Sequence, residues 1–297
     1  MSHIFTDLLR IQLRAVKPIM RPGKLNASRT LQDKLGELMH KVHSAKTEML
    51  RQDFDRFEGC WALPKKEAKR GVILYLHGGG YVAGDLPYAM GFGSVLADDL
   101  ERRVFCAAYR LAPEHPFPAA LEDALTAYQY LLAEGLSGHE IVLCGESAGG
   151  GLIWSLALKL KELGLELPAG IIGISPWVDL SLSGPSYQEN EKLDPCLTLE
   201  LLEYYAEVYA GGPSCEPLVS PLFGDLTGMP PSLLFAGSDE LLLDDAVALH
   251  HKLLALGGKS DLHIAEKMWH AYVLYGVHEA HEALQKISVF IEDLMSK

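Results

Sequence analysis

Nowhere do the 297 residues offer the roughly 18 uninterrupted apolar residues that a membrane-crossing helix needs; charge or glycine breaks every run first. Basic residues are scarce, 26 Lys and Arg against 39 Asp and Glu, so the net charge is −13 and the pI is near 5.4. Without clustered Lys and Arg to neutralise phosphate, nucleic acid and membranes are excluded as partners. Cysteine is sparse too: Cys60, Cys106, Cys144, Cys196 and Cys215 form no C-x-x-C pair, and an odd count argues against a disulfide framework. The first residues, "MSHIFTDLLRIQLRAVKPIM", lack the continuous apolar core and small-residue cleavage site of a secretory signal and predict an amphipathic helix, so a cytoplasmic protein is expected. G-x-G-x-x-G, G-K-[ST] and His-x-Glu-x-x-His motifs, clustered Cys/His ligands, low-complexity tracts and 20–50-residue repeats are missing, so no metal and no cofactor is predicted.

What is there fits one large soluble domain, with 48% apolar residues and 8% aromatics. From residue 71 onward short β-rich runs, at 71–76, 103–109, 140–145, 169–175, 231–237 and 260–265, alternate with helical patterns near 88–101, 119–134, 148–164, 243–257 and 279–295. Such alternation predicts an α/β protein with a mostly parallel sheet covered on both faces. Residues 1–50 read as two helices and 181–215 as loop followed by the helix "TLELLEYYAEVYA", and neither supplies a sheet strand. Both are expected to pack over the strands' carboxyl ends as a lid, the alternative being a peripheral helical decoration.

"GESAG" (145–149) fits G-x-S-x-G, in which small residues let a sharp strand-to-helix turn lift a serine above the sheet. "IVLC" before it and "GLIWSLALKL" after it supply the strand and the helix, so Ser147 is the candidate nucleophile. A serine needs pre-aimed donors for the oxyanion it creates. The glycines Gly78, Gly79 and Gly80 in "YLHGGGYVAGD" offer them together with the Ala148 amide, while His77 is expected to shape the loop. The base should follow a late strand, with the acid earlier in the chain. Of twelve histidines His270, in "EKMWHAYVLYG", fits best. For the acid, Asp239 lies in the loop of "LLFAGSDELLLDDA", where a carboxylate reaches an imidazole; Glu240, Asp244 and Asp245 are rivals that suit the first turn and solvent face of the next helix. In "YRLAPEHPFPAALED" three prolines fix a rigid loop suited to buttress the glycine turn.

Together "HGGG", "YRLAPEHPFPAALED", "GESAGG", "SPWVDL", "DPCLT", "SDELLLDD" and "WHAY" resemble the hormone-sensitive-lipase-like family of α/β-hydrolases, its bacterial esterase branch, over most of residues 70–290. The resemblance implies an α/β-hydrolase fold: N-terminal cap helices over 1–50, a catalytic domain over 51–297 and a cap insertion at about 181–215. It implies a serine carboxylesterase acting on small-molecule, short- to medium-chain acyl esters. On the family pattern Ser147, Asp239 and His270 match the triad and Gly78, Gly79 and Ala148 the oxyanion donors. Glu146 stands where the family often has Asp, and "SDELLLDD" replaces a commoner Asp-Pro-Leu. Gly80, Tyr81, Trp177, Tyr187, Tyr204 and Tyr205 are candidate pocket residues. Lactone hydrolysis, amide hydrolysis and a non-catalytic ligand-binding homologue are the competing readings. Family analogy adds a homodimer through an edge strand near residues 260–265.

Overall fold

A computed structural model describes residues 3–296; positions 1, 2 and 297 lie outside it. Two N-terminal helices, α1 (His3–Val16) and α2 (Leu25–His43), precede a hairpin of β1 (Thr47–Asp53) and β2 (Glu58–Pro64). Strands and helices then alternate: β3 (Val72–Leu76), α3 (Leu86–Leu100), β4 (Arg103–Ala108), α4 (Ala119–Ala133), β5 (Ile141–Glu146), α5 (Ala148–Glu162) and β6 (Gly170–Ile174). A loop-rich stretch follows, holding α6 (Ser186–Glu189) and α7 (Leu199–Ala210), before β7 (Ser232–Gly237), α8 (Leu243–Ala255), β8 (Ser260–Ala265) and α9 (His278–Met295).

All eight strands join one sheet in the order β1-β2-β4-β3-β5-β6-β7-β8. The strands from β3 to β8 pair in parallel, while β2 is antiparallel to both β1 and β4. The expected fold class therefore holds, with one correction. Residues 47–50, read as helical, begin β1, and β2 lay unrecognised beside it. The reason is physical. Most of β1 is exposed at the sheet edge, so its "TEMLRQD" sequence never needed the apolar alternation that marks a half-buried strand.

The parallel strands from β3 to β7 are buried on both faces and alternate between two cores, while β8 forms the partly exposed edge. Val72, Leu74, Leu76, Ile141 and Leu143 pack under α4, α5 and α8, whereas Ile73, Tyr75, Val142 and Cys144 pack under α3 and α9. This double cover fixes the strands rigidly, so the loops at their carboxyl ends are carried on a stiff platform. Helix α2 reaches the platform by close backbone contact: Gly36 lies against Pro87 and Tyr88 at the start of α3, and Gly91 lies against Gly36, with no room for a Cβ at either.

Candidate active site

The turn from β5 into α5 holds Ser147 at φ 55°, ψ −123°, a strained geometry for a non-glycine residue, of a kind that costs on the order of 1–3 kcal/mol. The surrounding bonds impose it. The Ser147 amide donates to the Ile174 carbonyl at 3.0 Å, and the Ser147 carbonyl accepts from Gly151 at 3.0 Å and Trp177 at 2.9 Å. A side chain on Gly149 would run into the Leu76 and His77 carbonyls, so only glycine lets α5 approach β3 this closely. The hydroxyl is thereby raised above the sheet, at the amino end of α5.

Opposite it runs the glycine turn after β3. Gly79 and Gly80 adopt φ +117° and +64°, and a Cβ on Gly80 would enter the Tyr205 ring. Among the described residues the N–H groups of Gly79, Gly80 and Ala148 make no hydrogen bond. Gly78 differs from the expectation: its amide already donates to Glu146 Oε1 at 2.6 Å and is not free for a ligand. Sequence could not separate three consecutive glycines by where their amides point. The turn is held from behind as the proline-rich loop suggested. Ala112 N donates to Tyr81 O at 2.9 Å, Tyr109 Oη donates to His77 O at 2.6 Å, and Arg29 Nε, itself paired with Glu114, donates to Val82 O at 2.7 Å. His77 is fully buried and stacks on Tyr109 with ring centroids 4.3 Å apart, a scaffold position.

His270 follows β8 and lines the same cavity as Ser147. Burial pushes its imidazole down to about 3, and Nδ1 has no hydrogen-bond partner among the described residues. Asp239 does not meet it. That carboxylate turns outward to Arg10 Nη1 at 2.9 Å and to Ser238 Oγ at 3.0 Å. Glu240 turns inward instead and is fully buried. Its Oε2 accepts from Ser175 Oγ at 2.6 Å and Gly237 N at 3.1 Å, and its Oε1 has no partner. Ser175 Oγ in turn accepts from the amide of Ala271, next to His270, at 2.9 Å. Two buried, unpaired groups, Glu240 Oε1 and His270 Nδ1, thus flank one serine bridge. Burial raises the Glu240 carboxyl well above its usual range.

The other rivals are structural. Asp245 is buried rather than solvent-facing and accepts from Val178 N, Asp179 N and Tyr187 Oη at 2.8, 2.8 and 2.7 Å, while Asp244 accepts from Ser186 N at 2.7 Å. They tie the loop after β6 to α8.

The cavity, of about 550 Å3, lies between this platform and the N-terminal helices. Gly78, Gly79, Gly80, Ser147, Trp177, Tyr205 and His270 form its floor and one wall. Leu13, Val16 and Met20 from α1 and its following turn, and Leu31, Leu35, Leu38 and Val42 from α2, form the other. These helix positions recur at i, i+3/i+4, i+7 spacing, a signal present in the sequence but read there only as amphipathicity. Three proposed pocket aromatics do not line it. Tyr81 is buried against Tyr209 with centroids 3.8 Å apart, Tyr187 is locked to Asp245, and Tyr204 packs beside Tyr205. One histidine does cluster with acids, contrary to the sequence reading: His43, Asp98 and Asp99 bring their ligand atoms within 4.8 Å of one another. Lys46 Nζ, 3.0 Å from Asp98, already supplies the positive charge there.

Comparison with known proteins finds relatives of the same fold. A family described as having the alpha/beta hydrolase fold matches residues 73–274. An acetyl-hydrolase of Streptomyces hygroscopicus is 38% identical over 234 residues, 78% of each chain. A solved esterase of the bacterial hormone-sensitive lipase family is 33% identical and superposes with a TM-score of 0.81 over 91% of this chain and 97% of its own. The esterase EstE5, in crystals soaked with p-nitrophenyl butyrate, is 31% identical with a TM-score of 0.84, covering 96% of this chain and 99% of that one.

Proposed function

The chain belongs to the hormone-sensitive-lipase-like branch of the α/β-hydrolase family and is a carboxylic ester hydrolase, and from that premise we propose the residues that carry its reaction and the esters it takes. Ser147 is the nucleophile and His270 the base. Ser147 Oγ adds to the ester carbonyl carbon, its proton passes to His270 Nε2, and the carbonyl π pair becomes an oxyanion held by the N–H groups of Gly79, Gly80 and Ala148. The carbon–oxygen bond to the leaving alcohol breaks as His270 returns the proton to it. Water then repeats the sequence on the acyl-enzyme. Glu240, rather than Asp239, accepts from Nδ1–H and fixes the tautomer of His270.

The observation that supports this reading best is convergence: the strained serine, the imidazole and free amides all border one apolar cavity. Gly78 contributes its position and not its amide. The apolar wall favours acyl chains of roughly two to eight carbons, since each buried methylene adds about 0.8 kcal/mol until the pocket is full. A butyrate ester soaked into a homologous esterase fits that range. In domain terms α1, α2 and the stretch with α6 and α7 act as the cap over the platform. Five unpaired cysteines suit the reducing cytoplasm. No helix among the described residues is long and apolar enough to cross a membrane. The exposed edge of β8, with Ile264 44% accessible, is the surface a homodimer would use.

Incubation with a fluorophosphonate tests the nucleophile: one adduct, on Ser147, is expected, and Ser147→Ala should keep the fold and lose nearly all turnover of p-nitrophenyl butyrate. Labelling elsewhere, or near wild-type turnover in the variant, would overturn the reading.

A further inference from the structure

Glu146 is a buried carboxylate that the reaction itself does not use. It sits one residue before Ser147 with 1% of its surface accessible, and its Oε1 receives the Gly78 amide at 2.6 Å and Tyr88 Oη at 3.3 Å. Its Oε2 has no partner among the described residues, nor has the neighbouring Tyr75 hydroxyl. A carboxylate so placed is costly to bury, and its hydrogen bonds offset only part of that cost. Those bonds reach the glycine turn and little else.

Resting on the assignment of Ser147 and of the Gly79 and Gly80 amides above, we propose that Glu146 is the positioning residue of the oxyanion hole. Its carboxylate pins Gly78 and so turns the next two amides toward Ser147. The geometry leaves little slack: a Cβ on Gly78 would already lie 2.9 Å from Glu146 O and 3.0 Å from both Glu146 Oε1 and Ser147 Cβ. The clamp, the turn and the nucleophile therefore share one set of van der Waals contacts; His77 Nδ1 also bonds the Gly78 carbonyl at 2.7 Å and the Val82 and Ala83 amides bond the Gly79 carbonyl at 3.1 and 3.0 Å, so loss of the clamp would tilt the Gly79 and Gly80 amides while the turn itself stays in place. Donors of this kind act on charge that develops in the transition state, so misplacing them lowers kcat and leaves ground-state binding largely intact.

Cys144 shares strand β5 with Glu146, where burial raises its thiol, and the other groups that face Glu146 come from four further elements. Tyr75 (β3), Tyr88 (α3), Tyr109 and Cys106 (after and within β4) and Tyr275 (before α9) all have burial as the largest cause of a raised value, with contacts among these groups adding to it. His77 is pushed by burial down to about 4. All are neutral near pH 7, so Glu146 is the one group of this set whose charge changes there; burial places its carboxyl at about 7. Ionised it is a charge-assisted acceptor for Gly78, and protonated a weaker one.

The test compares Glu146→Ala, Glu146→Gln and Tyr88→Phe on p-nitrophenyl butyrate. Inhibition by an alkyl trifluoromethyl ketone is measured alongside; its carbonyl takes Ser147 Oγ and forms the oxyanion as the proton moves to His270. Glu146→Ala should lower kcat at least 10-fold with KM within about 3-fold, and raise the ketone's inhibition constant by the factor lost in kcat/KM. Glu146→Gln retains an acceptor for Gly78 and should recover most of both, while Tyr88→Phe should give a smaller loss of the same kind. An alanine variant with wild-type kcat, a kcat loss without weaker ketone binding, or a glutamine variant as impaired as alanine would each overturn the proposal. If the alanine variant does not fold, the glutamine and phenylalanine variants decide. Stoichiometric fluorophosphonate labelling in each variant separates the cases. Failure to label Ser147 in the wild-type protein would instead refute the nucleophile assignment.

Discussion

Glu240→Gln and Asp239→Asn, adjacent and chemically alike, should have opposite consequences. Glu240 is fully buried and anchored through Oε2 to Gly237 and to Ser175, which in turn accepts from the Ala271 amide, while its Oε1 is unpaired among the described residues. Replacing its carboxylate with an amide removes the acceptor proposed to hold His270 in the productive tautomer and to balance the imidazolium as it forms. Loss of such a group costs about 10⁴ in kcat in the serine hydrolase template, or roughly 5 kcal/mol of transition-state stabilisation. Asp239 is partly exposed and paired with Arg10 at 2.9 Å, an interaction of the kind worth about 0–1 kcal/mol. Asp239→Asn should therefore reduce kcat less than 10-fold. Steady-state kinetics on p-nitrophenyl butyrate at saturating substrate, with fluorophosphonate labelling rates as a second measure, gives the comparison. A larger loss at Asp239 than at Glu240 would refute the reasoning and return the acid role to the outward carboxylate.

Gly80→Ala should cost about 10²-fold or more in kcat, the worth of one oxyanion donor, because φ of +64° and the Tyr205 ring both exclude a Cβ; unchanged kcat would show that this amide is not used. Arg10→Ala removes the pair with Asp239, the bond to the Lys267 carbonyl and the stacking over Trp269 at 5.2 Å. It should loosen α1 and lower kcat/KM for hexanoate and octanoate esters more than for acetate; an unchanged chain-length profile would remove α1 from the pocket. Glu146 also marks the stability curve. Its carboxyl lies at about 7 in the folded protein against 4.5 ordinarily, with burial as the main cause, so the folded state binds its proton more tightly. This contribution is complete below about 4.5 and is lost as pH rises through about 7, leaving a burial cost of about 3 kcal/mol above it. Glu146→Gln, which has no proton to lose, should melt higher than wild type at pH 9 and not at pH 5. Parallel melting curves would disprove it.

The alternation of near-continuous apolar runs with helical periods determined the parallel sheet, because a strand buried on both faces has no freedom to be polar. Ser147 was legible for the same kind of reason: a strand, a small-residue turn and an amphipathic helix in sequence leave one geometry for the residue at the corner. That His270 would border the same cavity as Ser147 followed from chain order. Strand β1 was not legible, because an edge strand half in water carries no alternation. Nor could sequence distinguish Asp239 from Glu240, or Gly78 from Gly80, since neighbours one residue apart differ only in the direction their groups take. The turn after β7 sends one carboxylate to Arg10 and the next into the core, and Glu146 occupies the first of three glycine amides and leaves the others free. Local chemistry, read along the chain, decided which residue types would meet at the carboxyl ends of the strands. Which atom of each faces the cavity and which faces the core or solvent was decided by burial, by ion pairing with a helix more than two hundred residues away in sequence, and by contacts that exist only once the sheet has closed around them.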